Sequence, residues 1–492
     1  MRIRSLTALL ALAAGAASQQ ALSTTFGPPG GYTGAKVAAG RDMDGDGVPD
    51  LLVTSSGTSS SSIYVVSGAT NSVRQLTNPG NSTFPNNMLL GVPDLNLDGR
   101  GDIVADVNGA LRAYSGATLA PLWTTAVAYW RATAIGDRNG DGRGDLAAIS
   151  TTNPAELRVL NGSDGSVLSV FPLANGFGEA FLAIGDIDGD GVTELARGFS
   201  NSIEVLRLAN PPLLLTIPFP GYTLGAGNFA GDARNEIVAG ETNSNATVRV
   251  LSATTGSLLR AWSDVPQGTF AVIGDLDADG FPELALRKDP FVAGSPGGNL
   301  DIVSGATGTK LATWPATAQF RCGAVAAAGD LNADGFGDLL VGDTSASSNG
   351  AAPRPGGWQR LSGKILATMT SQPQSCAQGP FFPVLGITRP MLGQPCTIAG
   401  QNAPANTVGF VAFSTQPAVP TSLGVVGCDA WFDLTSGSLL YQPTTTNWQF
   451  TFPVPAIPQL AGAAVALQAF YAPTQSAIGI DVTNGIWARL GY

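Results

Sequence analysis

The chain has 492 residues, with 63 glycines, 33 prolines and no histidine. The absence of histidine excludes His-based catalytic triads and His-ligated zinc or iron sites. A formal net charge of −11, with no basic run, leaves no footprint for nucleic acid.

At the N-terminus, Met1-Arg2-Ile3-Arg4 is a short basic start. Leu6 to Ala17 is largely apolar but too short to span a bilayer, and Ala16-Ala17-Ser18 offers a cleavage site before Gln19. Residues 1–18 are therefore predicted to be a secretory signal peptide, and the protein to be secreted or held at the cell surface. No later segment reaches 18 uninterrupted apolar residues, so the mature chain is expected to be soluble.

Seven acidic, glycine-rich loops then recur about 48 residues apart, beginning at Asp42, Asp94, Asp137, Asp186, Asn228, Asp275 and Asp330. Each runs straight into an apolar strand, as Asp42-Met43-Asp44-Gly45-Asp46-Gly47-Val48-Pro49-Asp50 runs into Leu51-Leu52-Val53. Oxygens at alternate positions suit Ca²⁺, which takes six to eight of them. A period of 40 to 50 residues with strands in each unit predicts a β-propeller.

Positions 1, 3 and 5 of six loops place side-chain oxygens inside a tight turn. They are Asp42, Asp44 and Asp46; Asp94, Asn96 and Asp98; Asp137, Asn139 and Asp141; Asp186, Asp188 and Asp190; Asp275, Asp277 and Asp279; and Asp330, Asn332 and Asp334. Position 7 (Val48, Arg100, Arg143, Val192, Phe281, Phe336) varies, as expected where only a carbonyl binds. Position 9 (Asp50, Asp102, Asp145, Glu194, Glu283, Asp338) is always acidic and is expected to close the shell. An EF-hand would need a bidentate Glu at position 12, where the first loop has Val53. The fifth loop, Asn228 to Glu236, lacks the position-3 oxygen and the turn glycine, so it is expected to keep the hairpin without holding Ca²⁺ well. Of the 36 acidic residues, 21 lie at ligand positions, so six bound Ca²⁺ would bring the net charge close to zero.

Around each loop the pattern predicts four strands: small residues before it (Ala38-Ala39-Gly40), an apolar run after it, a third strand such as Ile63 to Val66, and a short fourth. The third strand often ends in a turn such as Ser67-Gly68-Ala69-Thr70 or Ser115-Gly116-Ala117-Thr118. The last unit is given its own closing strands at Trp358 to Leu361 and Lys364 to Leu366. Beyond about Thr370 acids become rare and the calcium pattern stops. Short apolar runs at 408–413, 448–452 and 464–470 predict a small β-sandwich. Cys322, Cys376, Cys396 and Cys428 contain no C-x₂-C pair, and in an exported protein they are expected to form disulfides, Cys322 with Cys376 and Cys396 with Cys428.

These loops resemble the FG-GAP/VCBS repeats of integrin α-subunit propellers and of secreted bacterial proteins, from roughly Phe26 to Met369. The resemblance implies Ca²⁺ held by positions 1, 3, 5 and 9 and the position-7 carbonyl, between the first two strands of each blade. Phe26-Gly27 occurs, but no Gly-Ala-Pro follows the strands, which departs from the integrin form. The expected organisation is all-β: a seven-bladed propeller over 24–369, then a C-terminal β-sandwich-like module over 373–492.

Two functions compete at this level. A non-catalytic propeller would bind an extracellular protein or glycan through loops on its face, for which Thr54 to Ser62, Pro290 to Gly298 and Ser345 to Gly357 are candidates. A polysaccharide lyase or glycosidase would need two convergent carboxylates. Outside the loops the acids include Asp106, Glu156, Asp164, Glu179, Glu204, Glu241, Asp264, Asp289, Asp301 and Asp343, none in a recognisable motif. A purely architectural surface protein is the third reading.

Overall fold

The computed structural model describes residues 21–26, 32–56, 61–77, 88–232, 234–242, 246–276, 279–288, 298–314, 322–343, 357–364, 368–371, 383–388, 390–415, 417–423, 429–432, 438–441, 446–457, 460–472, 474 and 480–491. The described chain is all-β, built from antiparallel sheets, with one 3₁₀ turn at Pro266–Gly268. One compact unit spans 21–276 and 280–364, and a second holds 365–492.

The first unit repeats a four-stranded antiparallel sheet. Its opening example is Tyr32–Ala39, Leu51–Ser56, Ser61–Val66 and Val73–Thr77, paired in chain order. The second and third repeats fuse into one seven-stranded sheet because the 16-residue strand Pro121–Gly136 ends one and begins the next. The inner strands pack on one another around the unit. Tyr32–Ala39 meets Leu89–Val92, and Pro121–Gly136 meets Ala180–Gly185. Ala180–Gly185 meets Thr223–Gly227, then Phe270–Val272, then Ala324–Gly329, which packs back on Tyr32–Ala39.

This stacking explains the hydropathy of each strand. The second strand of a repeat lies between neighbouring sheets and is covered on both faces, so it is apolar throughout rather than alternating. Leu51, Leu52, Val53, Leu146, Ala147 and Ala148 are all fully buried. The fourth strand faces solvent, and Val73–Thr77 alternates exposed with half-buried residues. Inner strands carry alanine and glycine, as in Ala324–Gly329, because they pack closely on one another.

The last repeat departs from expectation. Its strands Ala324–Gly329, Asp338–Asp343 and Gly357–Leu361 are joined by Ala21–Phe26 from the chain's N-terminal end, with Thr25 opposite Trp358 and Phe26 opposite Gly357. The fourth strand of this sheet is thus Ala21–Phe26, and of the closing strand expected at Lys364 to Leu366, Ile365 and Leu366 lie outside the described residues. Gly357–Leu361 already has both edges filled. The boundary expected at Met369 also moves, because Thr368–Ser371 pairs with Ile486–Arg489 in the C-terminal unit.

In that unit, Val408–Ser414, Ala464–Ala472 and Ile486–Arg489 share one sheet, and Val384–Ile387, Pro395–Gln401 and Trp448–Pro453 another. Both contribute to a single core that includes Ile398, Trp448, Val411, Leu467 and Tyr471. The expected disulfides are corrected in part. Cys322 and Cys396 are free, buried thiols, and burial pushes Cys322 up to about 12. Cys396 sits in a strand with its Sγ 3.5 Å from the Thr388 carbonyl. Their expected partners, Cys376 and Cys428, lie outside the described residues.

Candidate metal centres

Each acidic loop is the hairpin between the first and second strands of a repeat, and its acids first organise the loop backbone. The position-1 carboxylate accepts N–H groups from later in the turn. Asp42 takes Gly47 at 2.8 Å, Asp137 takes Gly140 and Gly142 at 2.7 and 2.8 Å, and Asp186 takes Gly189 and Gly191 at 2.6 and 2.8 Å. These bonds favour the ionised form, and those from Gly142 and Gly191 hold Asp137 and Asp186 below the usual carboxylate range. The position-5 carboxylate accepts the position-7 N–H: Val48, Arg100, Arg143, Val192, Arg234 and Phe336 donate at 2.9, 3.0, 2.9, 2.7, 3.1 and 3.1 Å. Gly47 adopts φ 86°, a conformation that a side chain would strain.

Position 9 plays two parts. Asp50, Asp102, Asp145, Glu194 and Glu283 are fully buried, and Asp338 nearly so. Each accepts the N–H of loop position 2: Met43, Leu95, Arg138, Ile187 and Leu331 donate at 2.9, 2.7, 2.7, 2.9 and 2.8 Å, and Leu276 also donates. In four repeats the second oxygen accepts the N–H of the turn glycine after the third strand. Gly68, Gly116, Gly162 and Gly363 donate at 3.1, 2.9, 2.9 and 2.9 Å. The acid thus ties loop to turn as well as facing the loop's centre.

In three loops carboxylate oxygens converge to within 4.8 Å of one another: Asp42, Asp44 and Asp50; Asp186, Asp188 and Glu194; and Asp275, Asp279 and Glu283. Such clusters could hold a metal ion, and their all-oxygen donor set fits a hard cation. Glu194 adds a further sign of fit, since its Oε1 is buried without a hydrogen-bond partner. Asn96, Asn139 and Asn332 replace one carboxylate in the other three loops. There the amide donates to the position-5 acid, to Asp98, Asp141 and Asp334 at 3.0, 3.1 and 3.2 Å. Asp277 lies outside the described residues. The fifth loop keeps the hairpin as expected: Asn228 accepts Gly231 N–H at 2.7 Å and Glu236 accepts Phe229 N–H at 2.7 Å.

Sequence reasoning missed position 2 and the turn glycine, which join one repeat to the next. A Cβ added to Gly116 would lie 1.9 Å from the Gly101 carbonyl and 2.8 Å from Met43 Cγ of the preceding repeat's loop. Gly162 meets Leu95, Gly305 meets Phe229 and Gly363 meets Leu276 in the same way. Gly68 of the first repeat meets Leu331 of the last, 3.1 Å from such a Cβ. Outer strands add a second tie to the following turn. Arg74 donates to the carbonyls of Gly116 and Ala117 at 2.6 and 2.9 Å, and Trp123 donates to Gly162 at 2.8 Å.

The acids weighed for catalysis mostly have structural partners. Glu156 pairs with Arg158 at 2.6 Å, and buried Glu204 pairs with Arg197. Asp301 accepts the Thr313 hydroxyl at 2.6 Å, Asp106 accepts Gly109 N–H at 2.7 Å, and Asp289 lies outside the described residues. Of the candidate face loops, 57–60, 290–297 and 345–356 also lie outside them.

Burial of the position-9 acids has a consequence for pH. It pushes Asp50, Asp102, Asp338 and Glu194 up to about 6, above the value near 4 of an unfolded chain. A raised carboxyl binds its proton more tightly in the folded state, so its contribution is present below about pH 4 and is lost as pH rises through about 6. In chelator the protein is therefore expected to melt at a higher temperature at pH 5 than at pH 7.5. Scanning calorimetry at the two pH values checks this, and the reverse order would contradict it.

Comparison with known proteins agrees with this architecture. Residues 33–66, which hold the first loop and its flanking strands, match the FG-GAP repeat model. No curated protein sequence matches the chain. A chain in the crystal structure of the mitotic checkpoint complex is similar at a TM-score of 0.50 and 13% identity, over 71% of this chain and 98% of that one. That likeness shows the propeller-like fold alone. A chain in the crystal structure of BBS1N in complex with ARL6DN is similar at 0.48 and 11% identity, over 70% of this chain and 98% of that one. The V. cholerae biofilm matrix protein Bap1 matches at 0.36 and 14%, over 84% of this chain and 68% of its own.

Proposed function

We propose that the chain is a secreted or cell-surface protein whose first unit is a seven-bladed, Ca²⁺-stabilised propeller and whose second is a β-sandwich. It binds an extracellular protein or glycan without converting it. The observation that carries this reading is the repeated acidic hairpin, with carboxylates converging in three copies and an FG-GAP match on the first. The seven-fold count is supported by the cyclic packing of inner strands and by Leu331 meeting Gly68 as Met43 meets Gly116. The binder reading is supported by the lack of histidine and by the structural partners of Glu156 and Glu204.

Ca²⁺ is held by the oxygens of positions 1, 3, 5 and 9 and the position-7 carbonyl in six loops. Asp46→Ala is expected to remove one site, whereas Asp232→Ala in the fifth loop leaves the count unchanged. Titration calorimetry of the two variants against Ca²⁺ checks the contrast, and equal losses would contradict the assignment. Function is tested on a glycan and protein array with the purified chain. Chelator is expected to weaken any binding found, since loop order depends on the ion. Depolymerisation of a polysaccharide, abolished by Glu179→Gln, would overturn the binder reading in favour of an enzyme.

A further inference from the structure

Lys36, Met88 and Arg131 occupy equivalent positions on the first three inner strands, each six residues before the first acid of its loop. At about 3.3 Å per residue, that sets them about 20 Å from the acidic hairpins, toward the opposite end of the strands. The other four repeats have Ala180, Tyr222, Thr269 and Ala324 there, so the charge is confined to one arc. Asp106 joins this level because its N–H donates to the Met88 carbonyl at 3.2 Å. Its carboxylate is buried and attracts both cations, and Lys36 also feels the repulsion of Arg131.

The cations are held without being neutralised by contact. Arg131 Nε and Nη2 donate to the Glu179 carbonyl at 3.1 and 2.8 Å, and Nη1 to the Trp130 carbonyl at 3.1 Å. These acceptors are neutral, though the exposed Glu179 carboxylate also attracts Arg131 through solvent. None of the four ion pairs among the described residues includes Lys36 or Arg131. Two half-buried cations therefore share one buried carboxylate, Asp106, with the exposed Glu179 carboxylate near Arg131 alone, on a chain that is otherwise acidic. Beside them the Arg131 guanidinium lies 5.2 Å from the centre of the Trp130 ring, and Trp130 lies 5.9 Å from Phe177.

From this geometry, and resting on the binder reading above, we propose that this end of the first three repeats binds an acidic polysaccharide. One carboxylate or sulfate sits between Lys36 and Arg131, with its sugar ring beside Trp130 and Phe177. An acidic peptide would need a run of cations, whereas two fixed cations with aromatic neighbours suit a single charged group on a ring. Binding of a polyanion also depends on Ca²⁺, because the bound ions relieve the chain's net charge of −11.

The test uses the Ca²⁺-loaded full chain with hyaluronate, dextran sulfate, neutral dextran and polyglutamate as probes. Hyaluronate distinguishes carboxylate from sulfate recognition, and binding of either but not of dextran is expected. Lys36→Gln should weaken that binding about tenfold with an unchanged melting temperature, as loss of one charge-assisted contact implies. Arg131→Gln should weaken it at least as much, and added salt should weaken it further. Wild-type affinity in Lys36→Gln, or equal affinity for polyglutamate, would overturn the proposal. A neutral glycan or a protein bound equally by wild type and Lys36→Gln would overturn this site and leave the binder reading standing. Shortened polysaccharide products would instead overturn that reading.

Discussion

Adding about 1 mM Ca²⁺ to the chelated protein at neutral pH is expected to raise its melting temperature by about 5–15 °C. Extracellular modules hold Ca²⁺ with dissociation constants near 10⁻⁴–10⁻³ M, so each site contributes roughly 0.4–1.4 kcal/mol at that concentration. Six sites then give about 2–8 kcal/mol, at roughly 2 °C per kcal/mol for a unit of this size. Repulsion adds to the effect, because Asp42, Asp44 and Asp50 bring oxygens within 4.8 Å and Asp50 is fully buried. Binding should divide into two classes. The loops with convergent carboxylates, those beginning at Asp42, Asp186 and Asp275, are expected to bind more tightly than those carrying Asn96, Asn139 and Asn332. Titration calorimetry would resolve the classes, and an unchanged melting temperature would refute metal stabilisation. The pH trend in chelator should vanish when Ca²⁺ is present, since the cation then balances the charge that protons balance at pH 5.

The loops were legible in the sequence because their chemistry is local and repeated. Asp at position 1, Gly at position 6 and an acid at position 9 fall in one short segment, and their period returns them in phase. The strands after them were legible for a related reason: a segment buried on both faces, such as Leu51-Leu52-Val53, is apolar without interruption. What joins the repeats was not. Met43 is one apolar residue in a polar loop, and its partner Gly116 lies 73 residues further on. Only the third dimension shows why that side chain is fully buried. Arg138 is the one charged residue at position 2, and it is exposed where the following repeat has Arg207-Leu208-Ala209 in place of a Ser-Gly-Ala turn. The shared strand Pro121–Gly136 was hidden because no turn residue marks where one sheet hands over to the next. The closing strand was missed because Ala-Leu-Ser-Thr-Thr-Phe is short, only half apolar and far in sequence from the repeat that it completes.

Removal of that strand is expected to have the largest effect of any change to the first unit. Ala21–Phe26 fills the open edge of Gly357–Leu361, and Leu22 packs on the cluster that contains Leu51, Val53, Leu340 and Trp358. Thr24 accepts from Gln359 at 2.7 Å, while Ser23 and Thr25 reach Asn71 in the first repeat's turn at 3.4 and 3.5 Å. The strand therefore touches both the last repeat and the first, as Arg74 of the first repeat touches the turn of the second. A chain starting at residue 27 loses this clasp and exposes an unpaired strand edge, an invitation to intermolecular pairing. Its melting temperature should fall by more than about 10 °C, with aggregation on heating, given several kcal/mol for the lost burial and ladder. Leu331→Ala tests the same junction from the other side. It should cost about 2–5 kcal/mol, the range for a buried leucine, and match Met43→Ala at an interior junction. If the first and last repeats form a junction like any other, the two point variants will behave alike. A chain lacking Ala21–Phe26 that melts with the full-length protein would show that the unit does not depend on this strand for closure.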